Sequence, residues 1–526
     1  MVIVTRRIAV AALLASAAGV PIIEGMSPRH SPQPPRPAPD AGFSELPALG
    51  ASYAAVRGTQ RLVAGHQGAL FRLRRESDNG ERDFDAGPNG KPAIAAIAAF
   101  QGRSRLFFRT IYDQTGNGFH LRFPDGNSAM AAVNIADLTP SGALYVDTKD
   151  ATSGEYASAG HAIDMQDHSL FVAQQSTSGQ NGMLVSYDDG ATTLECWSVN
   201  EATFRLFDTG PHEFGQAAVP LRANPAVVGI TNGKASRRRY MSETADTTPG
   251  APPATTASRI AYGKSKSSIF QFARWCGDAL TSAALSADDG ATLYRALSAI
   301  FGFTTTFDRR LIVIGDSIES EPNPMAGITP HRPPWTYCAF AGSTEVINLS
   351  VAGRTIAGQA GNMRLGGPYT GYASGGVAKY GTGKVVTYVQ SGTNDIGILH
   401  ADGDALADTM RAALANYRKL VPQTKILLAT LAPFGGPSSD AAKQAARARY
   451  NMSIVANPGP ADLLLRWDDP ASTMGAPSAP DDRALYADGV HPTERGKRYR
   501  AGIDAEPSPI KLGPASLEAA VNALWG

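Results

Sequence analysis

The chain has 526 residues, which suits two or three domains better than a single core. Its 48 Lys+Arg against 47 Asp+Glu leave a formal net charge of +1, which gives no basic field for nucleic acid and excludes an acidic solvating protein. With 43% hydrophobic residues, 54 Gly and 36 Pro the sequence is globular and turn-rich, and its three cysteines (Cys196, Cys276, Cys338) form no CxxC pair, so neither a disulfide scaffold nor a cysteine zinc site is supported.

Residues 1–26 read as a secretory signal. Arg6-Arg7 precedes the apolar run Ile8 to Ala15, and Ala15-Ser16-Ala17 offers small residues for cleavage. The twin arginine in Thr5-Arg6-Arg7 admits the folded-protein export route, and the alternative use of the segment is a buried N-terminal helix. No later stretch reaches the roughly 20 uninterrupted apolar residues of a membrane helix, so the mature protein is expected to be secreted or periplasmic with no membrane span. Residues 27–42 form a linker: Ser27 to Asp40 contains six prolines, which fix φ and remove amide donors.

From residue 43 to 306 short β-type runs, among them Ala69 to Leu73, Leu106 to Tyr112, Ser169 to Ala173 and Ala226 to Ile230, alternate with Gly/Asn/Asp clusters. That spacing predicts an all-β sandwich. A helix over Leu285 to Phe303, with Ser286 and Asp289 spaced as a capping box, closes this part. The polar stretch Thr304 to Arg310 marks a boundary, and residues 307–526 change rhythm to apolar strands alternating with helices. The strands are Leu311 to Ile314, Val346 to Leu349, Val385 to Val389, Lys425 to Ala429 and Leu463 to Leu465, with helices at Ala405 to Leu420 and Asp440 to Val455. This predicts a parallel sheet covered on both faces, with its ligand at the carboxyl ends of the strands.

Four chemically apt groups fall at those ends. The first strand runs into Asp316-Ser317, the second into Ala352-Gly353, and the third into Gly392-Thr393-Asn394-Asp395. Near the C-terminus Asp488 precedes His491 by three residues in a loop, a spacing that lets the carboxylate hold one imidazole nitrogen while the other faces Ser317. The Ser317 and Gly353 amides and the Asn394 side chain are suitable oxyanion donors. Each residue has an ordinary structural use taken alone: Ser317 as a helix cap, Gly353 as a turn residue, Asn394 in an Asx turn, His491 as a surface histidine. Their coincidence at successive strand ends favours acyl-transfer chemistry with Ser317 as nucleophile, His491 as base and Asp488 as its orienting carboxylate. The other eight histidines show no metal-ligand spacing, so no metal and no organic cofactor is called for. A G-x-S-x-G elbow and a complete P-loop are both missing, which disfavours an α/β-hydrolase and a nucleotide hydrolase.

On the blocks Gly315-Asp316-Ser317, Ser350-Val-Ala-Gly353-Arg354, Gly392-Thr-Asn394-Asp395 and Asp488-Gly-Val-His491 the second half resembles the SGNH (GDSL-type) hydrolase family. The resemblance spans roughly Arg310 to Gly526 and implies a flavodoxin-like α/β domain with catalytic Ser317, Asp488 and His491. It also implies an oxyanion hole of Ser317, Gly353 and Asn394. The first half resembles the catalytic-domain family of α-L-arabinofuranosidase B over Tyr53 to Arg75, Arg74 to Asn79 and Thr110 to Gly118. That resemblance implies a concanavalin-like sandwich, fading into laminin-G-like features. The family's adjacent-cysteine pair is absent, and the stretch nearest its acid, Ile260 to Ser265, has no Asp. The sandwich is therefore read as a glycan-binding or packing module, with a structural spacer as the alternative.

The leading expectation is an exported serine esterase cleaving O-acetyl groups from a carbohydrate, with no nucleic-acid partner. The alternatives are a broad esterase or lipase, and a glycan-binding surface protein with a vestigial hydrolase domain. Arabinose release is a fourth, minor reading. The Gly-rich stretch Gly361 to Gly383 is read as a loop at the site mouth, where Tyr369, Tyr372 and Tyr380 would stack on sugar rings or serve packing.

Overall fold

A computed structural model describes residues 45–525 apart from 88, 124–132, 136–137, 148–161, 177–181, 189–192, 201–202, 209–212, 215–222, 241, 243–244, 250–253, 263–272, 321–333, 339, 341, 352, 436–438, 471–474, 476–477, 483–484, 487–489 and 502–515. The expected signal segment (1–26) and linker (27–42) lie outside these residues.

The N-terminal region is rich in antiparallel sheet. One sheet runs Tyr53–Gly58, Ala273–Thr281, His168–Ser176, Ala226–Asn232, Ser236–Tyr240, Ala245–Pro249, with Val146–Asp147 also on Ala273–Thr281. A second is built on Gly182–Asp188, Thr193–Asn200 and Thr203–Asp208, and a third on Glu81–Asp85, Ala69–Arg75 and Leu106–Ile111. Alternation along the strands divides the side chains of the first sheet between two cores. Leu170, Val172, Val228 and Ile230 join a cluster with Leu70, Leu73, Phe108, Val185 and Tyr187 of the other two sheets. Phe171, Ala173 and Val227 face the opposite way, onto the helix Ala287–Phe301. That helix buries Leu293, Tyr294, Leu297 and Phe301 at helical spacing, and the Ser286 hydroxyl accepts from the Asp289 amide at 3.1 Å, as the capping box predicts.

Two buried polar hubs hold this region. Arg57 and Asp278, both fully buried, pair through Nη2 at 2.9 Å and Nε at 3.0 Å, with the Tyr262 hydroxyl donating to the same carboxylate. Asp113 accepts from the Val56 amide at 3.0 Å and the Thr115 amide at 3.1 Å, and Asn117 donates to the Ala54 carbonyl at 2.9 Å. The Asp113–Asn117 loop is therefore spent on turn and core bonds.

The C-terminal region carries five parallel strands: β1 (Arg309–Gly315), β2 (Thr344–Asn348), β3 (Val385–Gln390), β4 (Lys425–Ala429) and β5 (Leu463–Leu465). Their order in the sheet is 2-1-3-4-5, the flavodoxin-like order, whose switch point lies between β1 and β3. Connecting helices are α1 (Ser317–Ser320), α2 (Ile356–Asn362), α3 (Pro368–Tyr380), α4 (Thr393–Gly397), α5 (Gly403–Leu420), α6 (Ala441–Ala456), α7 (Glu494–Ala501) and α8 (Leu517–Trp525). Ile312, Ile314, Val385 and Val389 pack under α2, α3, α5 and α6, while Leu311, Val313, Val386 and Tyr388 pack under α8 with Trp335 and Trp467. Both faces are covered, as the apolar strand sequences require. At the amino end of the sheet Arg310 pairs with Glu345 at 2.6 Å and donates to the Tyr372 carbonyl, fixing α3 there.

The stretch Gly361 to Gly383 departs from expectation. It is the end of α2, a turn, and α3, which Pro368 opens at its first position. Tyr369 and Tyr372 are buried, and Tyr380 donates to Glu345 at 2.9 Å, so these rings serve packing and hydrogen bonding inside the domain.

The edge strand β2 is capped by a segment of the N-terminal region. The Ala223 amide donates to the Val346 carbonyl (2.9 Å), and Asn224 donates to the Thr344 carbonyl (3.0 Å) and accepts from the Val346 amide (2.7 Å). The amide side chain thus mimics a strand partner and closes an edge that would otherwise be open to pairing. Replacing Asn224 by Ala is expected to cost about 1–3 kcal/mol for each backbone group left buried and unpaired. Asp278→Ala, which strands the Arg57 guanidinium, is expected to cost about 3–5 kcal/mol. Thermal unfolding of the purified variants checks both, and an unchanged midpoint in either contradicts the corresponding role.

Candidate active site

The apolar run of β1 ends at Gly315, and the chain then turns sharply. The Asp316 carboxylate accepts from the Ile318 amide at 3.1 Å, and the Glu319 amide donates to the Asp316 carbonyl at 3.3 Å, so Ser317 stands at the first position of α1, half-buried above the sheet edge. Burial raises the Asp316 carboxyl above the ordinary aspartate range, opposed by the Ile318 hydrogen bond.

His491 arrives from the other end of the sequence. A bridge between Tyr486 and Pro492 and a bond from the Thr493 amide to the Leu485 carbonyl (2.8 Å) close its loop before α7 begins. His491 Nε2 stands 2.9 Å from Ser317 Oγ, across 174 residues of sequence. That distance is a hydrogen bond through which a hydroxyl proton can pass to the ring. Asp488, the expected orienting carboxylate, lies outside the described residues.

The glycine and asparagine blocks meet beside this pair. After β2 the Val351 amide donates to the Gly315 carbonyl at 3.2 Å, tying the second strand end to the first. Gly353 has φ +75°, a left-handed turn that an L side chain would strain. Asn394, in the first turn of α4, donates its side-chain amide to the Arg354 carbonyl at 3.1 Å, so the side chain is held against the Gly353–Arg354 turn. The structure thus brings Ser317 to His491 and Asn394 to the Gly353–Arg354 turn.

Three supporting ties were not read from the sequence, which offered Tyr369 only for sugar stacking or packing. Asp395 accepts from the Ile356 amide at 3.0 Å, locking α4 to the start of α2, and burial raises its carboxyl. Gln359 donates to the Gly315 carbonyl at 2.8 Å from within α2. Tyr369 accepts from Arg354 at 3.0 Å and donates to the Leu349 carbonyl at 3.2 Å. The position of Asp395 directly after Asn394 was a signal that could have found it; Gln359 and Tyr369 lie on helices whose docking no local pattern announces. Among the described residues no group of three or more His, Cys, Asp or Glu converges to hold a metal ion, and no helix is long and apolar enough to cross a membrane.

No curated protein matches the chain. Among solved structures it is similar to a mutant of a GH54 α-L-arabinofuranosidase soaked with 4-nitrophenyl α-L-arabinofuranoside, at 17% identity over 49% of this chain and 64% of that one, with a TM-score of 0.41. The chain therefore spans just under two thirds of that enzyme's length. It is also similar to a GDSL-like lipase from Parabacteroides merdae (17% identity, 38% of this chain and 94% of that one, TM-score 0.28). A carbohydrate esterase family 3 protein from Talaromyces cellulolyticus matches at 20% identity over 37% of this chain and 93% of that one, with a TM-score of 0.27. The family model of the GDSL-like lipase/acylhydrolases matches residues 313–499, from within β1 to within α7. Those residues form a GDSL-like lipase/acylhydrolase domain.

Proposed function

We propose that the chain is an exported serine ester hydrolase that removes acyl groups, O-acetyl above all, from a carbohydrate. The observation that carries the chemistry is the 2.9 Å contact between His491 Nε2 and Ser317 Oγ at the switch point of a parallel sheet. A serine hydroxyl at its free pKa is a poor nucleophile, so His491 takes its proton as Oγ attacks the ester carbonyl. Asp488 holds the ring tautomer and stabilises the imidazolium. The Ser317 and Gly353 amides and the Asn394 side chain receive the oxyanion. His491 then protonates the leaving alcohol, and water repeats the cycle on the acyl-serine. The oxyanion donors are held in place before substrate arrives, Asn394 by the Arg354 carbonyl and the Gly353 turn by its bonds to β1.

The carbohydrate assignment rests on the N-terminal region, residues 43–306 in this reading, whose sequence resembles the arabinofuranosidase B family. Its sheets are read as a concanavalin-like sandwich that holds the glycan near a hydrolase domain of residues 307–526. The signal-like residues 1–26 support export to a secreted or periplasmic location.

A second reading, a broad esterase or lipase, is favoured by one observation. Ile398 and Leu399, 63% and 62% exposed, follow α4 directly, and their amides donate to the Asn394 carbonyl. An apolar pair beside a proposed oxyanion donor suits a longer acyl chain.

A panel of acetylated polysaccharides and of short- and long-chain acyl esters separates these readings. The acetyl-carbohydrate assignment predicts fast release of acetate and weak turnover of long chains, and a preference for long chains overturns it in favour of the lipase. Ser317→Ala is expected to abolish turnover in either case, and equal rates for variant and wild type would remove the hydrolytic reading. Asn394→Ala is expected to lower kcat by roughly 10²–10³-fold with little change in KM, as loss of one oxyanion donor does.

A further inference from the structure

The three proposed oxyanion donors come from three strand ends: the Ser317 amide after β1, the Gly353 amide after β2 and the Asn394 side chain after β3. Asn394 is tied to the turn after β2 through the Arg354 carbonyl. The Val351 amide and the Gln359 side chain reach across to β1, but they hold the Gly315 carbonyl, before the nucleophile turn. Asn348 reaches past that turn. It is the last residue of β2, 2% exposed, and its side chain donates to the Glu319 carbonyl at 3.2 Å and accepts from the Ser350 amide at 3.1 Å. Glu319 lies two residues after Ser317 in α1, and Ser350 three residues before Gly353.

The chemistry of this position calls for asparagine. A carboxamide carries a donor and an acceptor on one planar group, so it serves a carbonyl on one side and an N–H on the other. An aspartate would set an oxygen against the Glu319 carbonyl, and an apolar residue would leave both buried groups unpaired. The last carbonyls of a helix have no partner within it, and in α1, four residues long, that of Glu319 is met by Asn348. The residue that Asn348 grips is itself anchored. Glu319 is fully buried, and its carboxylate accepts from the Tyr388 hydroxyl of β3 at 2.9 Å, which accepts in turn from the Trp467 indole N–H at 3.1 Å. A Cβ on Gly315 would stand 2.6 Å from the Glu319 Cβ, so glycine there lets α1 lie directly against the strand end.

We propose that Asn348 is a positioning residue that fixes the distance between the Ser317 and Gly353 amides, bridging the nucleophile helix to the glycine turn with Glu319 as its anchored end. The inference deepens the acyl-transfer reading and rests on it. Asn348 touches no substrate. It acts on where two N–H groups stand, and displacements of about 1 Å at a reacting centre are enough to lower a rate by up to about 10²-fold.

The test measures ester hydrolysis by the full chain, with rates normalised to active sites titrated by a chromogenic phosphonate. Inhibition by phenylboronic acid is measured alongside, because its tetrahedral adduct on a nucleophilic serine places an oxygen among the oxyanion donors. Asn348→Ser keeps a hydroxyl able to accept from the Ser350 amide but too short to reach the Glu319 carbonyl, so it cuts the bridge and leaves the local turn. It is expected to lower kcat per titrated site about tenfold or more with KM within about twofold, and to weaken the boronate by a similar factor. Asn348→Asp, which keeps the shape and loses the donor, is expected to do the same. In Asn348→Ser the pH dependence of kcat/KM is expected to stay unchanged, since the bridge acts on the oxyanion donors and not on His491. A merely structural role would lower the melting temperature and the number of titratable sites while leaving kcat and boronate affinity per site unchanged, and that result overturns the bridge. A shifted pH profile in Asn348→Ser overturns it too, by placing the effect at His491. Should both variants fail to fold, Tyr388→Phe, which loosens the anchored end, is expected to lower kcat per site and boronate affinity together about two- to fivefold, and unchanged values overturn the bridge. An active wild type with unaffected Asn348 variants defeats the bridge alone. A wild type inert toward every ester and unlabelled by the phosphonate defeats the hydrolytic reading and the bridge with it.

Discussion

The structure of the C-terminal domain turns on one contact, the hydrogen bond between Ser317 and His491. Two groups 174 residues apart stand 2.9 Å from each other past the carboxyl end of β1, beside the β1–β3 switch point of the 2-1-3-4-5 strand order. β1 delivers the hydroxyl there by ending in a tight turn. The C-terminal loop brings the imidazole back over the same edge, closed at its base by Tyr486 and Pro492.

Around that contact the backbone is fixed by short polar ties rather than by packing alone. Gln359 and the Val351 amide both hold the Gly315 carbonyl, Asp395 holds the first turn of α2, and Asn394 holds Arg354. Each tie crosses between two different strand ends, so the rim of the sheet behaves as one body. In the proposed reaction, groups aimed in advance at the developing charge need no rearrangement at the moment of reaction. The same economy of buried polar groups recurs in the N-terminal region, where Arg57, Asp278 and Tyr262 satisfy one another in the core.

Much of this was legible in the amino-acid sequence, and the reasons differ by element. The strands of the C-terminal sheet were readable because both their faces are buried, which forces continuous apolar runs such as Leu311 to Ile314. The long helices were readable from the alternation of strand and helix, while their caps came from the structure: Asp402 accepts from the Asp404 and Ala405 amides, and Asp440 from the Lys443 amide. The places of Ser317 and Asn394 past the ends of β1 and β3 were readable because the apolar strand runs stop just before them; the roles assigned to them are a proposal. Gly361 to Gly383 misled because its glycines resemble a loop; what decides the matter is tertiary, the burial of Tyr369 and Tyr372 under the sheet. Glu319 was silent for a related reason: a buried carboxylate has no signature in its neighbours along the chain and is recognised only when its distant partner, the Tyr388 hydroxyl, is in view.

The most direct measurement of the central claim is covalent labelling of the full chain with a fluorophosphonate, followed by peptide mapping by mass spectrometry. The account predicts a single phosphonyl adduct on Ser317 that forms rapidly in the wild type and is lost or greatly slowed in His491→Ala. Failure to label, an adduct on another residue, or labelling of Ser317 at the same rate without the imidazole would contradict it.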